Sequence, residues 1–145
     1  MKVLKYVIKG DPRTKKNHQK IAGSREKCPA CKKPLKQWIV QGVAHDEYAE
    51  LAGWQLRPRP IKPIDYPVNI KYLFFLAVDR VVDDLNLCAC ADDLLVKNGI
   101  IKDDNRRIVQ GHDGTRSFVD RDNPRTEIYI TRMPAEKTGQ TSLFD

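Results

Sequence analysis

Val68-Asn69-Ile70-Lys71-Tyr72-Leu73-Phe74-Phe75-Leu76-Ala77-Val78 is the stretch that decides the fold. It is dense in β-branched and aromatic residues, which suit a pleated, half-buried surface, and it reads as a central strand. Ahead of it, Pro58, Pro60, Pro63 and Pro67 stop any helix. Before those prolines, His45 to Leu56 places Tyr48, Leu51, Ala52 and Leu56 near helical spacing, with Asp46 and Glu47 favourable at the helix start. Beyond the strand, Leu85 to Lys97 reads as a second amphipathic helix, closed by Asn98-Gly99. Asp103-Asp104-Asn105 is a turn; residues 107–110 and 127–132 read as the last two strands. At the N-terminus Val3, Tyr6 and Ile8 form a first strand that ends at Gly10-Asp11-Pro12.

The order β, α, β, α, β, β predicts an α+β domain over residues 1–133, a small mixed sheet with both helices packed on one face. Residues 11–37 read as a long basic loop without periodicity, and 134–145 as a flexible tail.

Among 145 residues, Lys and Arg number 26 against 19 Asp and Glu, a net charge of +7. That excess points to a polyanionic partner such as nucleic acid, although a solubility role explains it as well. No apolar run is long enough to span a bilayer, and the charged start MKVLKYVIKG has no cleavage site of a secretory leader. The expectation is a cytoplasmic protein whose four cysteines are reduced or metal-bound.

Within this basic chain carboxylates concentrate at two places, Asp83-Asp84 at a helix start and Asp103-Asp104 in the turn after that helix. Phosphodiester hydrolysis needs an activated water and neutralised phosphoryl charge. Magnesium supplies both and prefers a few carboxylates plus waters. The competing reading is that Asp83 and Asp84 cap a helix while Asp103 and Asp104 make a turn. A helix of about 13 residues separates the two pairs, so a shared site requires the chain to return beside the helix start or a partner chain to contribute.

The ordered pattern Asp83, Asn86, Gly99, Asp103-Asp104, together with Gly10-Asp11-Pro12-Arg13-Thr14-Lys15-Lys16-Asn17 after strand one, resembles the RusA family of Holliday-junction resolvases over residues 3–132. The resemblance implies a homodimeric, magnesium-dependent endonuclease, with manganese as a substitute, that resolves four-way junctions by paired symmetric nicks in recombination and repair. It implies that Asp83 and Asp104 hold the metal and that Asp84, Asp93 or Asp103 supply further ligands or orient the water. It also implies phosphate contacts from Lys15 and Lys16 in a bacterial or phage-infected cell. Arg13, Arg106, Arg107 and Arg116 are further candidates for the DNA backbone. Two positions depart from the family pattern: a second signature Asp falls on Leu85 and a signature Lys on Ala89. A rearranged active site is one consequence. A non-catalytic branched-DNA-binding protein with a structural acidic cluster is the alternative.

Cys28-Pro29-Ala30-Cys31 has the spacing of half a structural zinc site, with His18, His45 or the same pair from a partner subunit as completing ligands; a metal-free loop or a redox-sensitive pair is the competing reading. Cys88 and Cys90, two apart on a helix, read as small core residues. A zinc-dependent interaction module is the third functional reading. Finally, Gln140-Thr141-Ser142-Leu143-Phe144 resembles the short peptide by which bacterial repair proteins grip the polymerase sliding clamp, which would make Gln140, Leu143 and Phe144 the contacts.

Overall fold

The computed structural model describes residues 2–14, 20–40 and 43–134. Its elements in chain order are β1 (Val3–Lys9), β2 (Lys20–Gly23), β3 (Gln37–Val40), α1 (Val43–Gln55), β4 (Val68–Leu76), α2 (Asp84–Lys97), β5 (Val109–Gly111), β6 (Arg116–Val119) and β7 (Arg125–Arg132). The α+β class, the mixed sheet and the two helices are as the sequence predicts.

Strand β4 lies centrally. It pairs antiparallel with β7, which in turn pairs antiparallel with β1. On its other edge β4 pairs in parallel with β5 at Val68 and Asn69 and with β6 over Leu73–Leu76. A parallel neighbour requires a crossover, and α2 supplies it by running back over the sheet between β4 and β5.

Alternation along β4 buries Val68, Ile70, Tyr72, Phe74 and Leu76 on the helix-covered face, facing Ile128 and Ile130 of β7 and Tyr6 and Ile8 of β1. Leu87, Leu94 and Leu95 of α2 and Tyr48 and Ala52 of α1 complete this core. Cys88 and Cys90 are both buried, at 4% and 7% exposure, as core residues should be. Their side chains leave α2 in different directions and both find cover, because α2 packs against the sheet and against α1.

On the opposite sheet face side chains shield one another. Lys5 and Lys71 lie over the Tyr129 ring, Arg125 lies over Phe75, and Phe75 stacks on Phe118.

The structure corrects the sequence reading at three places. Residues 11–37 are not a structureless loop: β2 and β3 form an antiparallel two-stranded sheet, extended toward its tip by the bridge Lys27↔Pro34. β6 (Arg116–Val119) is a strand the composition did not suggest. Leu51, expected inward on α1, is 56% exposed beside exposed Trp54, because the helix rests on Tyr48 and Ala52 instead. Among the described residues no helix is long and apolar enough to cross a membrane. Lys15, Lys16 and His18, and the tail residues Gln140, Leu143 and Phe144, lie outside the described residues.

Candidate functional site

The topology gathers several charged segments at one end of the sheet, where β1, β4 and β6 finish and β7 begins. Gly10, at φ 121°, turns the chain out of β1 in a conformation that favours glycine. Asp11 follows and clamps the next loop. Its Oδ1 accepts the Ala77 amide at 2.9 Å, and both its oxygens accept Arg80 Nη1 at 2.8 and 2.9 Å. Arg80 Nη2 also donates to the Pro12 carbonyl, and Arg13 sits 3.4 Å from Asp11. The start of the basic segment and the loop leading to Asp83 and Asp84 are therefore held together by a half-buried ion pair. Sequence reasoning missed Asp11 and Arg80, since nothing local shows that residues so far apart meet.

Asp83 caps α2 through Oδ1, which accepts the Leu85 amide at 2.9 Å. Asp84, exposed at the first helical position, accepts the Ser117 hydroxyl. Both carboxylates sit at the positive end of the helix dipole, where negative charge stabilises the helix. Beside them an open hollow of about 480 Å³ is lined by Asp84, Gly114, Thr115, Arg116, Ser117 and Phe118. Ser117 and Arg116 join the site only because β6 lies along the end of β4. Leu85 and Ala89, the two departures from the family pattern, are exposed on α2.

Asp103 and Asp104 lie at the other end of the domain. The chain leaves α2 through Gly99, bridges Ile101 to Ile64, and passes through residues 103–107 before β5 joins β4 at Val68. Helix α2 has 14 residues, so about 20 Å separates its two ends. Asp103 makes a local turn: Oδ1 accepts the Asp104 amide at 2.8 Å and Oδ2 accepts Asn105 Nδ2 at 2.8 Å, which hold its pKa below the ordinary value, the Asn105 bond most strongly. Partial desolvation, followed by Asp103 and then Asp93, pushes the Asp104 pKa up. Asp93 is half-buried and within electrostatic reach of Asp104. Arg106 and Arg107 are exposed on the same loop.

The expected metal residues are thus divided within one chain. Asp83 and Asp84 occupy the α2 head, while Asp93, Asp103 and Asp104 gather toward its tail. Among the described residues no group of three or more His, Cys, Asp or Glu side chains is close enough to hold one ion. Asp83 and Asp104 are thus not gathered around one magnesium position within the chain.

His112 is drawn into the core. Its Nε2 lies 3.0 Å from Asp92 Oδ2 and its Nδ1 3.1 Å from the Ile70 carbonyl. Asp92, 6% exposed, also accepts the hydroxyl of fully buried Tyr72 at 2.6 Å. The Asp92 bond raises the His112 pKa against the lowering effect of burial. This chain ties the turn before β6 to α2 and β4, a structural role for the one histidine of the β5–β6 turn.

No protein-family model matches the chain, and a search of curated proteins finds no match.

Proposed function

We propose that the protein is a magnesium-dependent endonuclease for branched DNA, working as a homodimer in recombination or repair. The observation that carries this reading is the Asp11–Arg80 clamp, which fixes the root of a basic segment beside the Asp83–Asp84 pair. A phosphate-contacting segment and a carboxylate pair at one edge are what a nuclease of this chemistry requires.

The division of the acidic residues adds a second element to the proposal. The α2 head of one subunit meets the post-helix loop of its partner, so that Asp83 and Asp84 face Asp103 and Asp104 of the partner subunit. A two-fold axis then generates two identical sites, matching the approximate symmetry of a four-way junction. Magnesium bound there would neutralise phosphoryl charge and activate water. The chain's own residues hold the phosphate through Arg13, Lys15 and Lys16, with Arg106 and Arg107 contacting backbone from the partner side. Asp83 and Asp104 would hold the ion, and Asp84, Asp93 or Asp103 would supply further ligands or orient the water.

The second reading, a branched-DNA-binding protein without catalysis, draws on the same geometry. Asp83 is engaged in a helix cap and Asp103 in a turn, as purely structural residues would be. Incubation of the protein with synthetic four-way junctions, flaps and duplex, with and without magnesium, separates the two. Paired nicks that require magnesium support the enzyme; tight junction binding with no cutting supports the alternative.

A further inference from the structure

The β2–β3 hairpin is long, narrow and ends in a shaped turn. Its ladder continues past the strands: the Ser24 amide donates to the Lys36 carbonyl at 2.9 Å, Leu35 to Glu26 at 3.0 Å, and Cys28 to Lys33 at 2.9 Å. At the tip the Lys32 amide donates back to the Cys28 carbonyl at 2.9 Å, and Lys32 adopts a left-handed φ of 62°. A residue other than Gly, Asn or Asp in that conformation is strained, so something must favour this turn. The turn folds Cys28 and Cys31 toward each other. The amides of Cys31 and Ala30 and the Cys31 thiol are all directed at the Cys28 sulfur. Amides directed at a sulfur and a left-handed residue just after the second cysteine preorganise a pair of thiolates on one metal.

A structural zinc needs four ligands, and the chain has no described residue to add. Cys88 and Cys90 are buried in α2, His45 is 3% exposed within α1, and His112 is bonded to Asp92. His18 lies two residues before Lys20, which pairs with Val40 at the hairpin base. The ladder from Lys20 to Lys27 spans about 23 Å, and two residues of chain reach back only about 7 Å. We propose that Cys28 and Cys31 form half of a tetrahedral zinc site that the same pair of a second copy completes, joining two hairpin tips through one ion.

Charge supports this partner. Four thiolates around one zinc leave a doubly negative core. Lys27, Lys32 and Lys33 surround each knuckle and offset that charge. Without metal the same lysines repel a second tip, so the joint forms only on zinc. The metal also explains how a two-stranded sheet with exposed Leu35 and Trp38 is maintained, since an isolated hairpin is marginal in water.

The test uses the full chain, stripped of metal and reloaded with zinc alone, then with cobalt alone. The expected result is one zinc per two chains and a cobalt absorption spectrum of four-thiolate tetrahedral coordination. Cys31→Ser should lower retained zinc by at least about tenfold while the helical circular dichroism signal stays unchanged, because Cys31 is exposed at the hairpin tip and belongs to neither helix. One zinc per chain, zinc retained in both Cys28→Ser and Cys31→Ser, or no zinc retained by the wild type would each overturn the proposal. None of these readings depends on whether the protein cuts DNA.

Discussion

The buried chain Tyr72–Asp92–His112 offers the sharpest test of the fold. Asp92→Ala removes the acceptor of a Tyr72 hydroxyl in a fully buried residue and the partner of His112, and it leaves a small void. An unsatisfied buried hydroxyl costs about 1–3 kcal/mol, and breaking a buried charged pair costs about 3–5 kcal/mol in all. We expect Asp92→Ala to lose about 3–5 kcal/mol in urea unfolding. Asp92→Asn keeps an oxygen for Tyr72 and can donate its amide to a neutral His112, so its loss should be about 1–2 kcal/mol.

The two variants also differ from wild type in pH dependence. Because Asp92 raises the folded pKa of His112, the wild type has this stabilisation in full below pH 6.5, the ordinary histidine value, and loses it as pH rises through the folded value. In Asp92→Asn that decline disappears. Cys28 contributes with opposite sign: its lowered pKa adds stability as pH climbs toward its ordinary 9.0. Subtracting the variant curve from the wild-type curve cancels that contribution. If Asp92→Ala costs under about 0.5 kcal/mol, or if Asp92→Asn declines with pH as the wild type does, the reasoning fails.

Three further outcomes are expected. Asp11→Ala should release Arg80 and the 77–83 loop, costing about 1–2 kcal/mol in stability and weakening junction binding; unchanged binding would show that the clamp does not organise the DNA edge. Lys15→Ala with Lys16→Ala should weaken binding to all junction sequences alike and flatten its salt dependence, which a filter-binding series in salt reads directly. A peptide covering Glu136 to Asp145 should bind the sliding clamp of the host with roughly micromolar affinity and lose it on Leu143→Ala plus Phe144→Ala. No calorimetric signal at about 100 μM peptide would end that idea.

The parts of the fold legible in the sequence are those specified locally. β4 announces itself by β-forming residues, and α2 by Asp83 at its start and Asn98-Gly99 at its end. The structure bears these out: Asp83 caps the helix, and Gly99, at φ 70°, follows the cap residue Asn98. Elements that exist only through their partners were not legible. Residues 116–119 become a strand because β4 offers its free edge. The short segments 20–23 and 37–40 become strands because they pair with each other. The site divides in the same way. Carboxylates at Asp83, Asp84, Asp103 and Asp104 are visible in sequence, but their separation by the length of α2 follows from the crossover. Asp11–Arg80 and Asp92–His112 are long-range pairs without local signal.

The central claim, that Asp83 and Asp104 cut DNA together across a dimer, is tested most directly by subunit mixing. Asp83→Asn and Asp104→Asn are each assayed on a four-way junction with magnesium, then unfolded together, refolded as mixed dimers and assayed again. Each variant alone should cut at least about 100-fold more slowly than wild type, a barrier increase of about 2.7 kcal/mol. In a mixed dimer one site carries both substitutions and the other carries neither, so the mixture should regain nicking of a single strand. A mixture as inactive as its parents would place both residues in one chain's site or in none, and a wild type that binds junctions without cutting them would contradict the account outright.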